Sequence, residues 1–167
     1  MLAAVWWLFI SMHRYGGLAA PLAAAAVFAL AAALSLYLAL AGAAYVRWRR
    51  GRPLHDALLF AALWLIAEWA RARLFTGFPW AASGYSQVDG PWAALAPWIG
   101  VYGIGALVGM AGALLAGLAR PGRRARVLGV LAAALALPPL VGGRDFTAGS
   151  GRITVTLIQT NVAQAEK

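Results

Sequence analysis

The 167-residue sequence has no cysteine, two histidines and five acidic residues. The absence of cysteine excludes disulfide bonds, thiolate metal ligands and cysteine nucleophiles within this chain. The two histidines, His13 and His55, lie far apart in the sequence and form no ligand cluster. We therefore expect neither a metal site nor a cofactor.

Charged residues are also scarce, at 11% of the sequence, whereas soluble domains carry roughly 25%. Hydrophobic residues make up 63%, and the mean hydropathy is +0.75. Residues 18–46 contain no charged residue at all, and a bilayer core requires roughly 20 apolar residues per helix. This composition indicates a membrane protein.

The few charges that exist are mostly basic, which gives a formal net charge of +9. Many of the arginines fall in two short clusters between apolar runs. These are Arg47, Arg49, Arg50 and Arg52 in the first cluster, and Arg120, Arg123, Arg124 and Arg126 in the second. The positive-inside rule predicts that both loops are cytoplasmic. Outside these loops no basic face with interleaved aromatic residues exists, so we expect no nucleic-acid partner.

The apolar runs predict an all-α polytopic membrane bundle with about five transmembrane segments. We place its helices over residues 2–12, 19–46, 55–75, 98–118 and 126–141. The first run is too short to span a bilayer unaided, and Pro138-Pro139 interrupts the last one. Counting crossings from the basic loops predicts an extracytoplasmic, interfacial loop over residues 76–97, rich in tryptophan and tyrosine.

The composition changes after residue 141. Residues 142–152 form a polar, glycine-rich linker, and residues 153–158 alternate branched side chains as a β-strand does. One strand is not a domain, because its backbone groups need partners and its apolar face needs cover. We interpret residues 153–167 as the start of a truncated extracytoplasmic domain.

Polar side chains gather at the end of the predicted helix 55–75. Glu68 and Arg71 are three positions apart, so they share a helical face and can pair, whereas Arg73 points away from both. One interpretation is a pair near the interface whose charged ends snorkel to water. The other is a contact with lipid headgroups or with a catalytic domain above the membrane, since intramembrane charges commonly serve a function.

Aromatic and amide side chains follow in the next loop. They form either an interfacial anchor with a turn or the lipid-facing rim of an active site. The candidate lipid or substrate residues are Glu68, Arg71, Arg73, Phe78, Trp80, Tyr85 and Gln87. No Ser-His-Asp pattern, metal-ligand spacing or phosphate-binding loop accompanies them, so the residues alone do not define a reaction.

The same stretch carries several family-like motifs. They are Glu68-Trp69-x-Arg71, Leu74-Phe-Thr-Gly-Phe-Pro-Trp80, Gly84-Tyr-Ser-Gln87 and Leu95-Ala-Pro97. With these motifs the chain resembles the apolipoprotein N-acyltransferases of the bacterial inner membrane. The segment from Leu157 to Lys167 resembles the first strand and following loop of that family's nitrilase-like α/β domain.

The resemblance implies transfer of an acyl chain from a phospholipid donor to the N-terminal diacylglyceryl-cysteine of an apolipoprotein acceptor. It implies a Glu-Lys-Cys triad in the nitrilase-like domain, where the cysteine forms a thioester. All three residues would lie beyond Lys167, so we expect no catalytic residue in this chain. The implied location is the bacterial inner membrane, with the arginine-rich loops cytoplasmic and the terminal strand periplasmic.

The resemblance also implies about two further membrane helices ahead of this sequence. We therefore expect the chain to be a fragment that is inactive by itself. The alternative is a non-enzymatic membrane scaffold or a small transporter. A transporter is expected to show an inverted repeat with broken helices, and the sequence shows no internal repeat.

Overall fold

The structure, a computed structural model, describes residues 1–118, 124–141, 149 and 151–158, and its regular structure is helical. Six α-helices follow one another along the described chain. They are α1 (Leu2–Val5), α2 (Trp7–Ile10), α3 (Ala20–Trp48), α4 (Pro53–Arg73), α5 (Ala96–Gly117) and α6 (Arg124–Val141). A π-helical turn, Ser11–Tyr15, follows α2, and two 3₁₀ turns, Ser83–Gln87 and Ala93–Leu95, precede α5.

Three helical stretches are long and apolar enough to cross a membrane: Ala20–Trp48, Pro53–Arg73 and Ala93–Gly117. Alanine and leucine dominate the first, and they favour helix while exposing no polar side chain to lipid. Large apolar side chains such as Leu36 and Leu40 are exposed on α3, as a bilayer permits and water does not. The predicted helical character is confirmed, and three helical stretches qualify as membrane spans by length and composition.

The predicted count of five membrane segments is not confirmed. Residues 2–15, which include the first predicted segment, are divided among α1, α2 and the π-helical turn. The apolar stretch of α6, Val127–Pro138, is shorter than the roughly 20 residues that a straight crossing needs. Length and composition therefore single out three spans within the described residues.

The predicted strand over residues 153–158 is not confirmed either. Residues 151–158 have no regular secondary structure, and Ile153 and Leu157 are almost fully exposed. A strand needs a neighbour for its backbone hydrogen bonds, and this segment has none among the described residues. Residues 142–148, 150 and 159–167 of the predicted linker and domain lie outside the described part.

The chain divides into two compact units, Met1–Ala32 with Asp145–Lys167, and Ala33–Arg144. In the first unit, Val5, Ala23 and Val27 are buried. In the second unit, α4 packs along α5. The candidate site residues all belong to this second unit.

Small residues on α5 allow α4 to approach closely. A Cβ added at Gly109 would lie 3.4 Å from the Phe60 ring and 3.6 Å from the Trp64 ring. Gly105 lies still closer to α4, against Glu68. The spacing of four between these glycines brings both onto one helix face, as close helix packing in a membrane requires.

The two prolines near the end of α6 do not interrupt that helix, which corrects the sequence interpretation. Pro138 has no N–H to donate to the Ala134 carbonyl four residues earlier. The Trp92 indole N–H donates to that carbonyl instead, at 3.0 Å. Trp92 also packs with Leu95 and Ile104, so the turn before α5 and the α6 helix share one apolar cluster.

Candidate functional site

The loop after α4 starts with backbone conformations that most residues avoid. Phe75, Thr76 and Ala81 have positive φ angles of 51°, 69° and 61°. Gly77 has φ of 81°, and a Cβ there would lie 2.1 Å from the Ala72 carbonyl oxygen, so only glycine fits. Non-glycine residues in this region cost about 1 to 3 kcal/mol each and persist only when surrounding contacts hold them.

Arg71 supplies those contacts from the last turn of α4. Its side chain is 1% exposed, and Nη1 donates to the Phe78 carbonyl at 2.8 Å and to the Trp80 carbonyl. The Arg71 carbonyl in turn accepts the Phe78 N–H at 2.8 Å. One buried guanidinium therefore ties the end of the helix to the Phe78–Trp80 backbone.

Glu68 holds the next part of the loop. Its side chain is 2% exposed, and Oε1 accepts the backbone N–H of Ser83 at 2.8 Å. The Ser83 hydroxyl accepts the Trp64 indole N–H at 2.9 Å, so two α4 side chains bind the same loop residue. A Cβ added at Gly105 would lie 2.7 Å from Glu68 Oε2, which leaves no room for a side chain between α5 and the carboxylate.

Glu68 and Arg71 share a helical face as predicted, but they form no ion pair within the described residues. Both are buried and bound to the loop, so neither side chain snorkels to water. Three of their polar atoms, Glu68 Oε2, Arg71 Nε and Arg71 Nη2, are buried and lack a hydrogen-bond partner in the described part. Leaving buried polar atoms without hydrogen bonds costs folding free energy. The cluster therefore needs an explanation beyond the ordinary end of a helix. Arg73 lies exposed, away from both.

The aromatic candidates differ in exposure. Trp80 and Tyr85 are exposed, whereas Phe78 and Gln87 are half-buried. Behind them, a Cβ at Gly84 would lie 1.9 Å from the Val101 carbonyl oxygen, so the loop backbone lies directly on α5. The site thus presents exposed aromatic rings on a loop whose backbone is fixed by contacts with Glu68 and α5.

This geometry suits binding and positioning more than chemistry. One oxygen of the Glu68 carboxylate is already bonded to Ser83, and the carboxylate is shut off from the surface. No group of three metal-ligating side chains occurs among the described residues. The indole and phenol rings at the surface have the amphipathic character that membrane interfaces favour.

Sequence reasoning missed Ser83 and Gly105, although both belong to this cluster. Ser83 follows Glu68 by 15 positions and Trp64 by 19, and such separations leave no periodic signal. Nothing in the spacing of Gly105 reveals the carboxylate that lies beside it.

Sequence reasoning also missed Asp56, at the other end of α4. Its Oδ1 accepts the Arg50 backbone N–H at 2.8 Å and lies 3.1 Å from His55 Nδ1. An acidic residue in the first turn after Pro53 was an available signal, since carboxylates favour helix N-termini.

Comparisons with known proteins agree with the motifs of this site. Residues 1–114 match the family described as apolipoprotein N-acyltransferase N-terminal domain. The chain is similar to the apolipoprotein N-acyltransferase of Verminephrobacter eiseniae, with 48% identity over 97% of this chain and 32% of that protein. For the Ralstonia nicotianae enzyme the values are 44%, 99% and 32%, and for that of Pseudomonas putida 42%, 97% and 34%. The chain spans about a third of the length of these curated relatives.

Proposed function

The chain belongs to the apolipoprotein N-acyltransferase family, and we propose that it forms the membrane part of an enzyme that acylates lipoproteins. The acyl chain comes from a phospholipid and passes to the N-terminal diacylglyceryl-cysteine of the lipoprotein. The names of the relatives support N-acyl transfer to an apolipoprotein. Because this chain has no cysteine to carry a thioester, the catalytic triad lies outside it and the chain is inactive alone.

The role of this chain in the reaction is to form the membrane-embedded surface on which the active site lies. The observation that carries this role is the pair of buried contacts from Glu68 and Arg71, which hold a loop with an exposed Trp80. Trp80 and Tyr85 contact lipid or lipoprotein acyl chains at the rim. Glu68 and Arg71 are positioning residues that act through the loop, and Phe78, Arg73 and Gln87 complete its border.

We assign the loop to the periplasmic side of a multi-pass inner-membrane protein. The arginine-rich loops support this orientation, since short basic loops remain cytoplasmic. Residues 142–152 then link the membrane region to a nitrilase-like domain that begins at residue 153. Its first strand, 153–158, forms only when neighbouring strands provide hydrogen-bond partners.

The first experiment measures acyl transfer to a diacylated lipopeptide from phospholipid vesicles. The 167-residue chain is expected to give no turnover, whereas a protein of full family length that carries this sequence is expected to transfer the acyl chain. Turnover by the 167-residue chain contradicts the assignment of catalysis elsewhere. A full-length protein without transferase activity favours the membrane scaffold instead.

The second experiment tests the rim in that full-length protein. Trp80→Ala is expected to lower the rate of acyl transfer roughly tenfold or more, because a substrate that is bound in the wrong position reacts much more slowly. The matched control is Trp48→Ala, which removes a similarly exposed tryptophan from the end of α3. Membrane content of each variant is measured by immunoblot. Equal activity of the two variants at equal membrane content reduces Trp80 to an interfacial anchor.

A further inference from the structure

A groove runs along the second unit between α3 and the α4–α5 pair. At one end lies a cavity of about 430 Å³ with a polar wall formed by Tyr45, Arg49 and Asp56. A second cavity of about 430 Å³ continues from it and is lined by Phe60, Trp64 and small residues of α5. The two cavities share Tyr45, Ala113 and Ala116, so they form one continuous surface.

The charge that lacks a partner at the polar end is positive. Asp56 contributes a carboxylate, but its Oδ1 already accepts the Arg50 N–H and contacts His55. Arg49 is exposed, and within the described residues no acceptor binds its guanidinium. Two further arginines, at positions 50 and 52, follow in the same loop. An anionic group fits this end, and a guanidinium is the side chain best suited to phosphate.

The rest of the groove is apolar and open. Between Asp56 and Trp64 the α4 helix rises about 12 Å, a length that an extended acyl chain fills. A Cβ added at Gly112 would meet no atom within 4 Å, so the glycine leaves free space on the α5 wall. Only an amphiphile matches a basic pocket that continues into an apolar channel.

We propose that this groove binds an anionic glycerophospholipid, with its phosphate at Arg49 and Tyr45 and one acyl chain along Phe60, Trp64 and Gly112. The lipid comes from the leaflet next to the arginine loop, where basic pockets between membrane helices bind anionic headgroups. The polar end of this site lies at the opposite end of α4 from the Glu68 and Arg71 cluster, whereas its apolar end reaches Ser83. It is a binding site for a resident lipid and does not depend on the acyl-transfer proposal.

The test counts lipids that remain bound to the full-length protein by native mass spectrometry. The protein is delipidated and then incubated in detergent with equal amounts of phosphatidylglycerol and phosphatidylcholine. We expect retained phosphatidylglycerol and little phosphatidylcholine. Arg49→Gln is expected to reduce that preference about tenfold, as loss of a charge-assisted hydrogen bond does. Arg47→Gln, a substitution in the last turn of α3 outside the pocket wall, leaves it unchanged.

A second pair of variants tests the acyl channel. Gly112→Leu fills the groove and is expected to abolish retention of both lipids. Gly129→Leu adds the same side chain to open space on α6 and leaves retention intact. Equal losses in Arg47→Gln and Arg49→Gln overturn the proposal in favour of nonspecific surface charge. Retention by Gly112→Leu, or no retention by the unsubstituted protein, also overturns it, the latter because a protein segment then covers the groove.

Discussion

The two ends of α4 each hold a carboxylate, and the two carboxylates are used differently. Asp56, at the start of the helix, is bound by groups within six positions of itself in the chain. Glu68, near the end, is bound by Ser83 from 15 positions away, and Arg71 beside it binds two carbonyls of the following loop. The first end closes a local turn, whereas the second organises tertiary structure.

This difference shows what a polar residue in an apolar helix contributes. A charged residue such as Asp56, whose partners lie within its own loop, stabilises only that loop. The neighbouring arginine side chains remain at the surface. A charge that is buried and bound across the chain holds backbone that is otherwise strained, as at Phe75, Thr76 and Ala81. The consequences of losing the two residues are therefore expected to differ in size.

The largest expected effect comes from Arg71→Ala. It removes hydrogen bonds from a charged donor to two carbonyls, and we expect the free energy of unfolding in detergent micelles to fall by about 3 kcal/mol. The control is Arg73→Ala, an exposed position two residues on, with an expected change below about 0.5 kcal/mol. If both substitutions lower the free energy of unfolding by similar amounts, Arg71 does not organise the tertiary structure at this end of α4.

A smaller effect is expected from Gly105→Ala. The new methyl group would lie 2.6 Å from the Ser83 hydroxyl and 2.7 Å from Glu68 Oε2, so the loop must move. We expect a loss of about 2 kcal/mol, typical of overpacking. Gly129→Ala, which meets no atom within 4 Å, is the control and is expected to be neutral or slightly stabilising. A neutral result at Gly105 indicates that the carboxylate is not confined by α5.

The smallest effect is expected at the other end of the helix. Asp56→Ala removes the acceptor for the Arg50 N–H and a favourable charge in the first turn, at a cost of about 1 kcal/mol. The same measurement of unfolding in micelles applies. If Asp56→Ala destabilises the protein as much as Arg71→Ala does, the distinction between local and long-range binding fails.

Much of the helical framework was accessible from sequence, because it depends on local patterns. The ends of α3 and α4 lie within two residues of the predicted ones, since Pro53 and the basic loop mark them. The interruption predicted at Pro138 was wrong because it ignored Trp92, whose indole serves the carbonyl that the proline leaves unpaired. The terminal strand was not confirmed because strand formation depends on neighbours that the local pattern does not supply.

The candidate site was accessible in part for the same reason. Spacing placed Glu68 and Arg71 on one face, but it suggested that they pair with each other. Their actual partners, Ser83 and the carbonyls of Phe78 and Trp80, depend on how the loop folds back. The family motifs identified the stretch as important without showing that its two charges are buried.

By itself, the sequence determined that this protein lies in a membrane, where its helices run, and to which family it belongs. Composition decides the first two properties, because burial in lipid demands apolar side chains and internally bonded backbone. The family follows from the motifs between Glu68 and Pro97. Only the tertiary structure decided which groups Glu68 and Arg71 bind, why Gly105 must be small, and that a basic pocket continues into an apolar groove. Those features join residues from different helices and loops. A local sequence pattern does not encode such contacts, because the packing of the whole unit decides which residues meet.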